Sequence, residues 1–280
     1  MDVPGFALIT GAASGIGLAC AKTFASEGCA GIALLDINAD SLSAAKSTIL
    51  DSTTSKSSTD GQSNGVKPAC RIETFTVDVT SEEDVERVVN EVNAKFGRID
   101  YVVNAAGVAC KHAGGVAFAK SSDWHRILDI NLTGTFHVLR ATSRIMLDQS
   151  PTLSSRSSIS TTRGSIVNFS SIQGLVGITL SAAYTASKHA IIGLTRSASE
   201  DYASKGLRIN CVAPGYTETP MTTANPDVRK AMEERVGTAV PMGRMGKPEE
   251  IADAVIWLAG GRSSFVTGSC LVVDGGFTER

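Results

Sequence analysis

Two groups of residues in this 280-residue chain have types and spacings that can do chemistry. The first opens with Thr10-Gly-Ala-Ala-Ser-Gly-Ile-Gly17, where Gly11, Gly15 and Gly17 follow a short apolar run and begin an amphipathic segment. A turn of this kind lets backbone approach a pyrophosphate and face it with N–H groups, those of Gly15, Ile16 and Gly17 included. Ser14 can add a hydroxyl donor. Glycine-rich turns also occur without a ligand, so Asp36 carries much of the weight. It ends the next apolar run, nineteen positions after Gly17, where a carboxylate receives the two ribose hydroxyls of an adenosine. The same charge repels a 2′-phosphate, and neither Ile37 nor Asn38 brings a cation, which favours NAD over NADP. Asp78 and Val79 end a third apolar run, where Asp78 can accept from an adenine amino group or serve as a turn residue. Asn104-Ala105-Ala106-Gly107 ends a fourth, with small residues that let the chain pass close to a cofactor. The second group holds Tyr184 and Lys188, spaced i and i+4 so that they share one helical face. Ser171 precedes Tyr184 by thirteen positions. Asn131 sits between Ile130 and Leu132, where a polar side chain is costly without a partner. A Tyr-x-x-x-Lys pair alone also occurs as solvated surface.

The elements that must position these residues follow one rhythm. Strand-like runs occupy Phe6–Thr10, Gly31–Asp36, Ile72–Val77, Asp100–Asn104, Gly164–Ser170, Leu207–Ala213 and Ser269–Val273. Helical patterns lie between them: Gly15 to about Gly28, Ala39 to about Leu50, a segment capped at Thr80-Ser-Glu-Glu83 and running to about Phe96, a long helix from Trp124 to about Met146, Ala182–Ala203, and Glu249–Ala259 with Pro248 at its first position. The strands are nearly all apolar without alternation, as expected when helices cover both faces. Repeated β-α-β units of this kind predict an α/β fold, a Rossmann-type doubly wound parallel sheet of about seven strands in a single domain spanning residues 1–280. Two Ser/Thr-rich stretches, residues 51–67 and 148–163, interrupt the rhythm. They have little to bury, so they read as mobile loops at the amino ends of strands, away from the ligand side.

Composition excludes several classes. With 26 basic and 28 acidic residues the net charge is −2, which provides no field for a polyanion, so nucleic acid is not an expected partner. Six scattered cysteines without a C-x-x-C pair argue against a zinc site or a disulfide framework, and the four histidines show no ligand spacing; no metal is expected. No apolar stretch reaches the roughly 20 residues a membrane helix needs, and the N-terminus lacks a secretory pattern. A cytoplasmic, reducing location is the expectation, with no membrane partner.

Taken together, Thr10–Gly17, Asp36, Asp78, Asn104–Gly107, Asn131, Ser171, Tyr184-x-x-x-Lys188, Pro214-Gly215 and Val273-Asp-Gly-Gly276 stand in the order of a known family. The chain resembles a classical short-chain dehydrogenase/reductase over almost its whole length. The resemblance implies hydride transfer between a nicotinamide cofactor and an alcohol or carbonyl, an Asn131-Ser171-Tyr184-Lys188 tetrad, and a homotetramer or homodimer. In that mechanism Tyr184 exchanges the proton, Ser171 holds the reacting oxygen, Lys188 lowers the tyrosine pKa and binds the nicotinamide ribose, and Asn131 holds a water linking Lys188 to solvent. Free tyrosine titrates near 10, so a base useful near pH 7 needs about 4 kcal/mol of phenolate stabilisation. The spacing to Tyr184 favours Ser171 over the adjacent Ser170. Pro214, Gly215, Thr217 through its main chain, and the Thr219 hydroxyl correspond to the turn that holds the nicotinamide carboxamide. Ala105 departs from the family, which often has a second asparagine there.

Substrate choice is expected in the segment 216–244, a lid whose Met221, Met232, Val236, Val240 and Met242 suit a hydrophobic or polycyclic alcohol or ketone. Gln173 and Tyr216 are further candidates to touch a small-molecule substrate. Cys110, just beyond Gly107, reads as an inert thiol. Two other functions stay open: a non-redox isomerase or cyclase on the same scaffold, and a silent nucleotide-sensing protein. The full tetrad speaks against the second.

Overall fold

The computed structural model describes residues 3–56, 70–153 and 161–279. Among the described residues nine strands run in chain order: β1 (Phe6–Thr10), β2 (Gly31–Asp36), β3 (Arg71–Thr76), β4 (Tyr101–Asn104), β5 (Thr152–Leu153), β6 (Thr161–Thr162), β7 (Gly164–Phe169), β8 (Leu207–Pro214) and β9 (Cys270–Val273). The α-helices are α1 (Gly15–Ser26), α2 (Ala39–Lys56), α3 (Glu82–Phe96), α4 (Ser121–Leu128), α5 (Gly134–Asp148), α6 (Ala182–Tyr202), α7 (Pro220–Thr223), α8 (Pro226–Ala239) and α9 (Pro248–Ala259). Seven strands form one parallel sheet in the order β3-β2-β1-β4-β7-β8-β9, so the connection reverses direction between β1 and β4. This is the expected Rossmann-type architecture.

The uniform apolarity of the strands has a direct cause. Ile9, Ile32, Leu34, Val103 and Val167 pack on one face against Phe24, Leu42, Ile251 and Val255. Their neighbours Leu8, Ala33, Leu35, Val102 and Ile166 pack on the other against Val85, Val89, Val138 and Met146. Period-2 alternation is present, but both faces are core, so hydropathy does not alternate.

Several local expectations shift. The cap of α3 is Ser81, whose Oγ accepts from the Asp84 N–H at 3.2 Å. Thr80 instead donates its hydroxyl to Asp78 Oδ1 at 2.8 Å, and the Asp84 carboxylate accepts from the Asp78 N–H, so a single Ser81 cap stands where the sequence predicts a capping box from Thr80. The long helix begins at Ser121 and is interrupted by a π turn over Asp129–Thr133. Such a turn absorbs an extra residue and is invisible to a 3.6-residue periodicity. The Ser/Thr-rich stretch 51–67 is in part helical: α2 continues to Lys56, and Ser43, Ser47 and Thr48 return their hydroxyls to carbonyls four residues earlier. In 148–163, Thr152 and Leu153 pair antiparallel with Thr162 and Thr161. Residues 57–69 and 154–160 lie outside the described residues, so the expectation of mobile loops there falls outside them too. No helix among the described residues is long and apolar enough to cross a membrane.

Candidate active site

A cleft of about 1100 Å³ opens at the carboxyl ends of the strands, where the connection reverses between β1 and β4. The glycine turn forms one wall. Gly11 has φ +65°, and a methyl there would lie 2.9 Å from the backbone of Ala105 and Ala106, so this crossing requires glycine. The first intrahelical bond of α1 runs from the Leu18 N–H to the Ser14 carbonyl at 3.1 Å. The N–H groups of Gly15, Ile16 and Gly17 therefore have no carbonyl within the helix, and Ser14 makes no side-chain cap. These are free donors suited to a phosphate. Asp36 borders the same cleft. Its carboxylate accepts from the Ala13 N–H and the Asn38 N–H, each at 3.2 Å, which holds it against the glycine turn. Asp78 Oδ1 is committed to the Thr80 N–H and hydroxyl, with Val79 beside it on the cleft wall. Free donors, a carboxylate on the same wall and this volume fit a dinucleotide.

Asn104 departs from its expected place. It stands in register with Asn168, and its Nδ2 donates to Asn168 Oδ1 at 2.8 Å. Asn168 in turn donates to Thr195 Oγ1 at 3.0 Å. The pleat turns the Asn104 side chain into the sheet, so Ala105, Ala106 and Gly107 meet the cleft and Asn104 does not.

The second wall holds Ser171, Tyr184 and Lys188. Lys188 is buried, its Nζ donates to the Phe169 carbonyl at 2.8 Å, and it sits 5.5 Å from the centre of the Tyr184 ring. The Ser171 hydroxyl interacts with the Tyr184 phenol and accepts from the Gln173 N–H at 3.2 Å. Ser170 points the other way and donates to the Lys188 carbonyl at 2.8 Å, pinning α6 to the end of β7. The two adjacent serines thus divide their roles by geometry. A methyl at Gly174 would lie 2.1 Å from Ser170 Oγ and 2.7 Å from the Lys188 carbonyl oxygen. Gly174→Ala is expected to destabilise the fold by roughly 1–3 kcal/mol, read as a lowered Tm; an unchanged Tm would show that this contact does not hold α6.

Asn131 lies in the π turn, fully buried behind the cleft wall. Its Oδ1 accepts from the Val108 N–H at 2.8 Å, and its Nδ2 donates to the Val108 carbonyl at 2.9 Å and to Ser187 Oγ at 3.2 Å. The carboxamide is a clamp between the segment after β4 and α6, and both of its amide protons are used. A water linking Lys188 to solvent therefore needs an acceptor or main-chain group here, not the amide N–H donors.

Burial dominates the electrostatics. It pushes the Tyr184 phenol above its ordinary value, with the Ser171 interaction opposing the shift. It lowers Lys188 to about 8. A buried ammonium is disfavoured unless negative charge stands near it, and a buried phenolate needs positive charge. Lys188 Nζ stands 5.5 Å from the Tyr184 ring centre, but burial sets the direction of both shifts, and the phenol stands above its ordinary range where the resemblance implies a lowering by Lys188.

Pro214 and Gly215 end β8 at the cleft. The Thr217 side chain is buried and donates to the Gly215 carbonyl at 3.1 Å, which leaves its main chain for any contact. The Thr219 N–H donates to Thr222 Oγ1 at 3.0 Å, starting α7. Gln173 accepts from Thr185 Oγ1 at 3.0 Å. Tyr216 borders the cleft, yet its ring packs edge-on against Phe277 at 5.6 Å, in a cluster with Val236, Val240 and Met245. The segment 216–244 thus splits: Met221, Val228 and Met232 face the cleft, Val236 and Val240 build that cluster, and Met242 is exposed. Val108, His125 and Arg126 also line the cleft. Nothing in their spacing singles them out, because they reach it through the segment after β4 and through α4. Cys110 lies there too, 3.7 Å from His112 Nε2, with burial raising its thiol.

A parallel seven-stranded sheet with this turn and this Ser-Tyr-Lys wall defines a Rossmann-type oxidoreductase. The chain belongs to the classical short-chain dehydrogenase/reductase family, whose members bind a nicotinamide cofactor. The family described as enoyl-(acyl carrier protein) reductase matches residues 11–278. The chain is 40% identical over 280 residues to the short-chain dehydrogenase fogB of Aspergillus ruber, covering 99% of this chain and 98% of that one. It is 37% identical over 269 residues to the 3-oxoacyl-[acyl-carrier-protein] reductase FabG of Thermotoga maritima, covering 96% of each. Among solved structures, levodione reductase superposes with a TM-score of 0.82 at 31% identity, covering 99% of this chain and 98% of that one.

Proposed function

We propose that the chain transfers hydride between NAD(H) and a secondary alcohol or ketone of apolar character, using Asn131, Ser171, Tyr184 and Lys188. The observation that carries this reading is that Tyr184, Lys188 and Ser171 border the same cleft as the Gly11–Gly17 turn and Asp36. Bound there, the nicotinamide supplies the hydride acceptor or donor. The Tyr184 hydroxyl takes the alcohol proton in oxidation and returns it in reduction. Ser171 donates to the reacting oxygen and holds it beside the phenol. Lys188 spends one proton on the Phe169 carbonyl, which leaves two donors for a ribose and for solvent-linked proton exchange. Asn131 keeps Val108 and α6 in position through its clamp. Met221, Val228 and Met232 on the cleft wall favour an apolar substrate body. The names of two similar proteins, a 3-oxoacyl-[acyl-carrier-protein] reductase and a levodione reductase, support this reading.

The test is a panel of hydrophobic alcohols and ketones assayed with NAD(H) and NADP(H) at the nicotinamide absorbance band. Turnover with NADH oxidation or NAD reduction is expected; product formed without any change in that band would defeat the redox reading. Asp36→Ala is expected to lower kcat/KM for NAD roughly 10- to 100-fold, the worth of hydrogen bonds to a charged group, while raising the relative use of NADP. A wild-type preference for NADPH would defeat the assignment of Asp36.

A further inference from the structure

The segment after β9 turns back toward α8. Asp274 makes the turn: its carboxylate accepts from the Gly276 N–H at 2.8 Å, the Thr278 N–H at 2.8 Å and the Thr278 hydroxyl at 2.7 Å. Gly275 and Gly276 have φ of +64° and +88°, a conformation that a side chain strains. Space excludes one as well, since a methyl at Gly275 would lie 2.9 Å from Val240 Cγ1. The Gly275 carbonyl accepts from the Met242 N–H at 3.1 Å. So placed, the Phe277 ring meets the Tyr216 ring edge-on, with centroids 5.6 Å apart, and packs on Val236, Val240 and Met245.

α8 stands between this cluster and the cleft. Val228, Met232 and Val236 follow at four-residue spacing and form one apolar stripe along the helix. Val228 and Met232 line the cleft, whereas Val236 belongs to the cluster. No other residue of α8 is buried. A helix with so little buried surface opens easily unless that one anchor holds. The ends of the segment that carries it are held separately: the Gly246 N–H donates to the Tyr216 carbonyl and the Glu218 N–H to the Gly246 carbonyl, each at 2.9 Å.

We propose that Phe277 is a positioning residue for substrate: fixed by the Asp274 turn, it anchors α8 and so sets how closely Val228 and Met232 meet an apolar substrate. The proposal rests on the reading of the cleft as a site for an apolar alcohol or ketone. Phe277 does not itself line the cleft, so it acts through α8. Every contact in this line of support lies within one chain.

The experiment compares the full-length chain with Phe277→Ala and with Phe277→Leu, which keeps the apolar bulk. Hydrogen–deuterium exchange of α8 peptides is expected to quicken roughly 10-fold in Phe277→Ala, the effect of losing one aromatic contact and its burial. Peptides of α1 and α6 should stay protected, the elution volume in size-exclusion chromatography should not move, and Phe277→Leu should exchange like wild type. In kinetics with the ketone that wild type turns over best, Phe277→Ala should raise KM for that ketone roughly 5- to 20-fold. Its kcat, and KM for NADH, should stay within about two-fold, and Phe277→Leu should recover most of the loss. Exchange needs no substrate: a wild type that turns over no ketone would defeat the functional reading, and exchange alone would then decide whether Phe277 anchors α8. The proposal is overturned if α8 exchange is unchanged in Phe277→Ala, or if kcat and KM for NADH deteriorate in step with KM for the ketone. A shifted elution volume would also overturn it, by placing Phe277 in a contact between copies.

Discussion

Replacing Tyr184 with phenylalanine is expected to lower kcat by roughly 10²- to 10⁴-fold, the range of a lost general acid–base group. Cofactor affinity and Tm should change little. The substitution removes one oxygen and keeps the ring that packs 5.5 Å from Lys188 Nζ, so the wall of the cleft survives. Ser171 alone cannot replace the phenol, because a hydroxyl without a base beside it does not ionise near neutrality. The measurement is nicotinamide absorbance in both directions, with NADH fluorescence titration as the control for binding. Turnover within a few-fold of wild type would remove Tyr184 from the reaction. The same residue sets the sign of the pH dependence. Burial holds the Tyr184 phenol above its ordinary value, so oxidation, which needs phenolate, should quicken as pH rises. Reduction needs the protonated phenol and should slow over the same interval.

Lys188→Met should separate stability from function. The ammonium is buried and lowered to about 8 from 10.5, a difference worth about 3 kcal/mol against the charged form. Below about pH 8 folded and unfolded chains both carry the proton, and the folded chain bears the full desolvation cost. Between about 8 and 10.5 the unfolded chain still holds a proton that the folded chain has released, so stability from this group rises with pH. Methionine removes the cost but leaves the Phe169 carbonyl without its 2.8 Å donor, a loss of about 1–3 kcal/mol. The net expectation at pH 7 is a gain of about 1 kcal/mol, or roughly 2–4 °C in Tm for a domain of this size. Activity should fall at least about 100-fold, since the phenol loses its neighbouring cation. Calorimetry of both proteins at pH 7 and pH 10 decides: the Tm advantage should shrink toward pH 10. A variant less stable than wild type at pH 7 would mean that the ammonium's hydrogen bond outweighs its burial.

Much of this molecule is legible in its residue order. The seven sheet strands fall where short apolar runs sit between amphipathic segments, and α9 starts at Pro248, whose fixed φ suits a first helical position, and ends before Gly260. The glycine turn and Asp36 meet because a β-α-β unit returns the second strand beside the first, with Ala12 N–H bonded to the Leu35 carbonyl at 3.1 Å. Other features escaped local reading for identifiable reasons. The π turn at Asp129–Thr133 leaves the apolar pattern almost intact. The cap of α3 moved from Thr80 to Ser81 because Asp78 takes the Thr80 hydroxyl.

The sequence by itself determined the seven sheet strands and the main helices between them, the glycine turn, and the helical face shared by Tyr184 and Lys188, because each depends on residues within a few positions of one another. Only the tertiary structure decided the pairings over long distances. It turned Ser170 onto the Lys188 carbonyl and Ser171 toward Tyr184, sent the Asn104 side chain into the sheet against Asn168, and drew the Tyr216 ring away toward Phe277. It also set Cys211 opposite Cys270. Strand register and pleat settle the Asn104–Asn168 and Cys211–Cys270 pairings, and the packing of α6 and of the turns beyond β7, β8 and β9 settles the others. A one-residue slip would reverse the side chains of those two strand pairs, and nothing local to the chain records which register the packed core enforces.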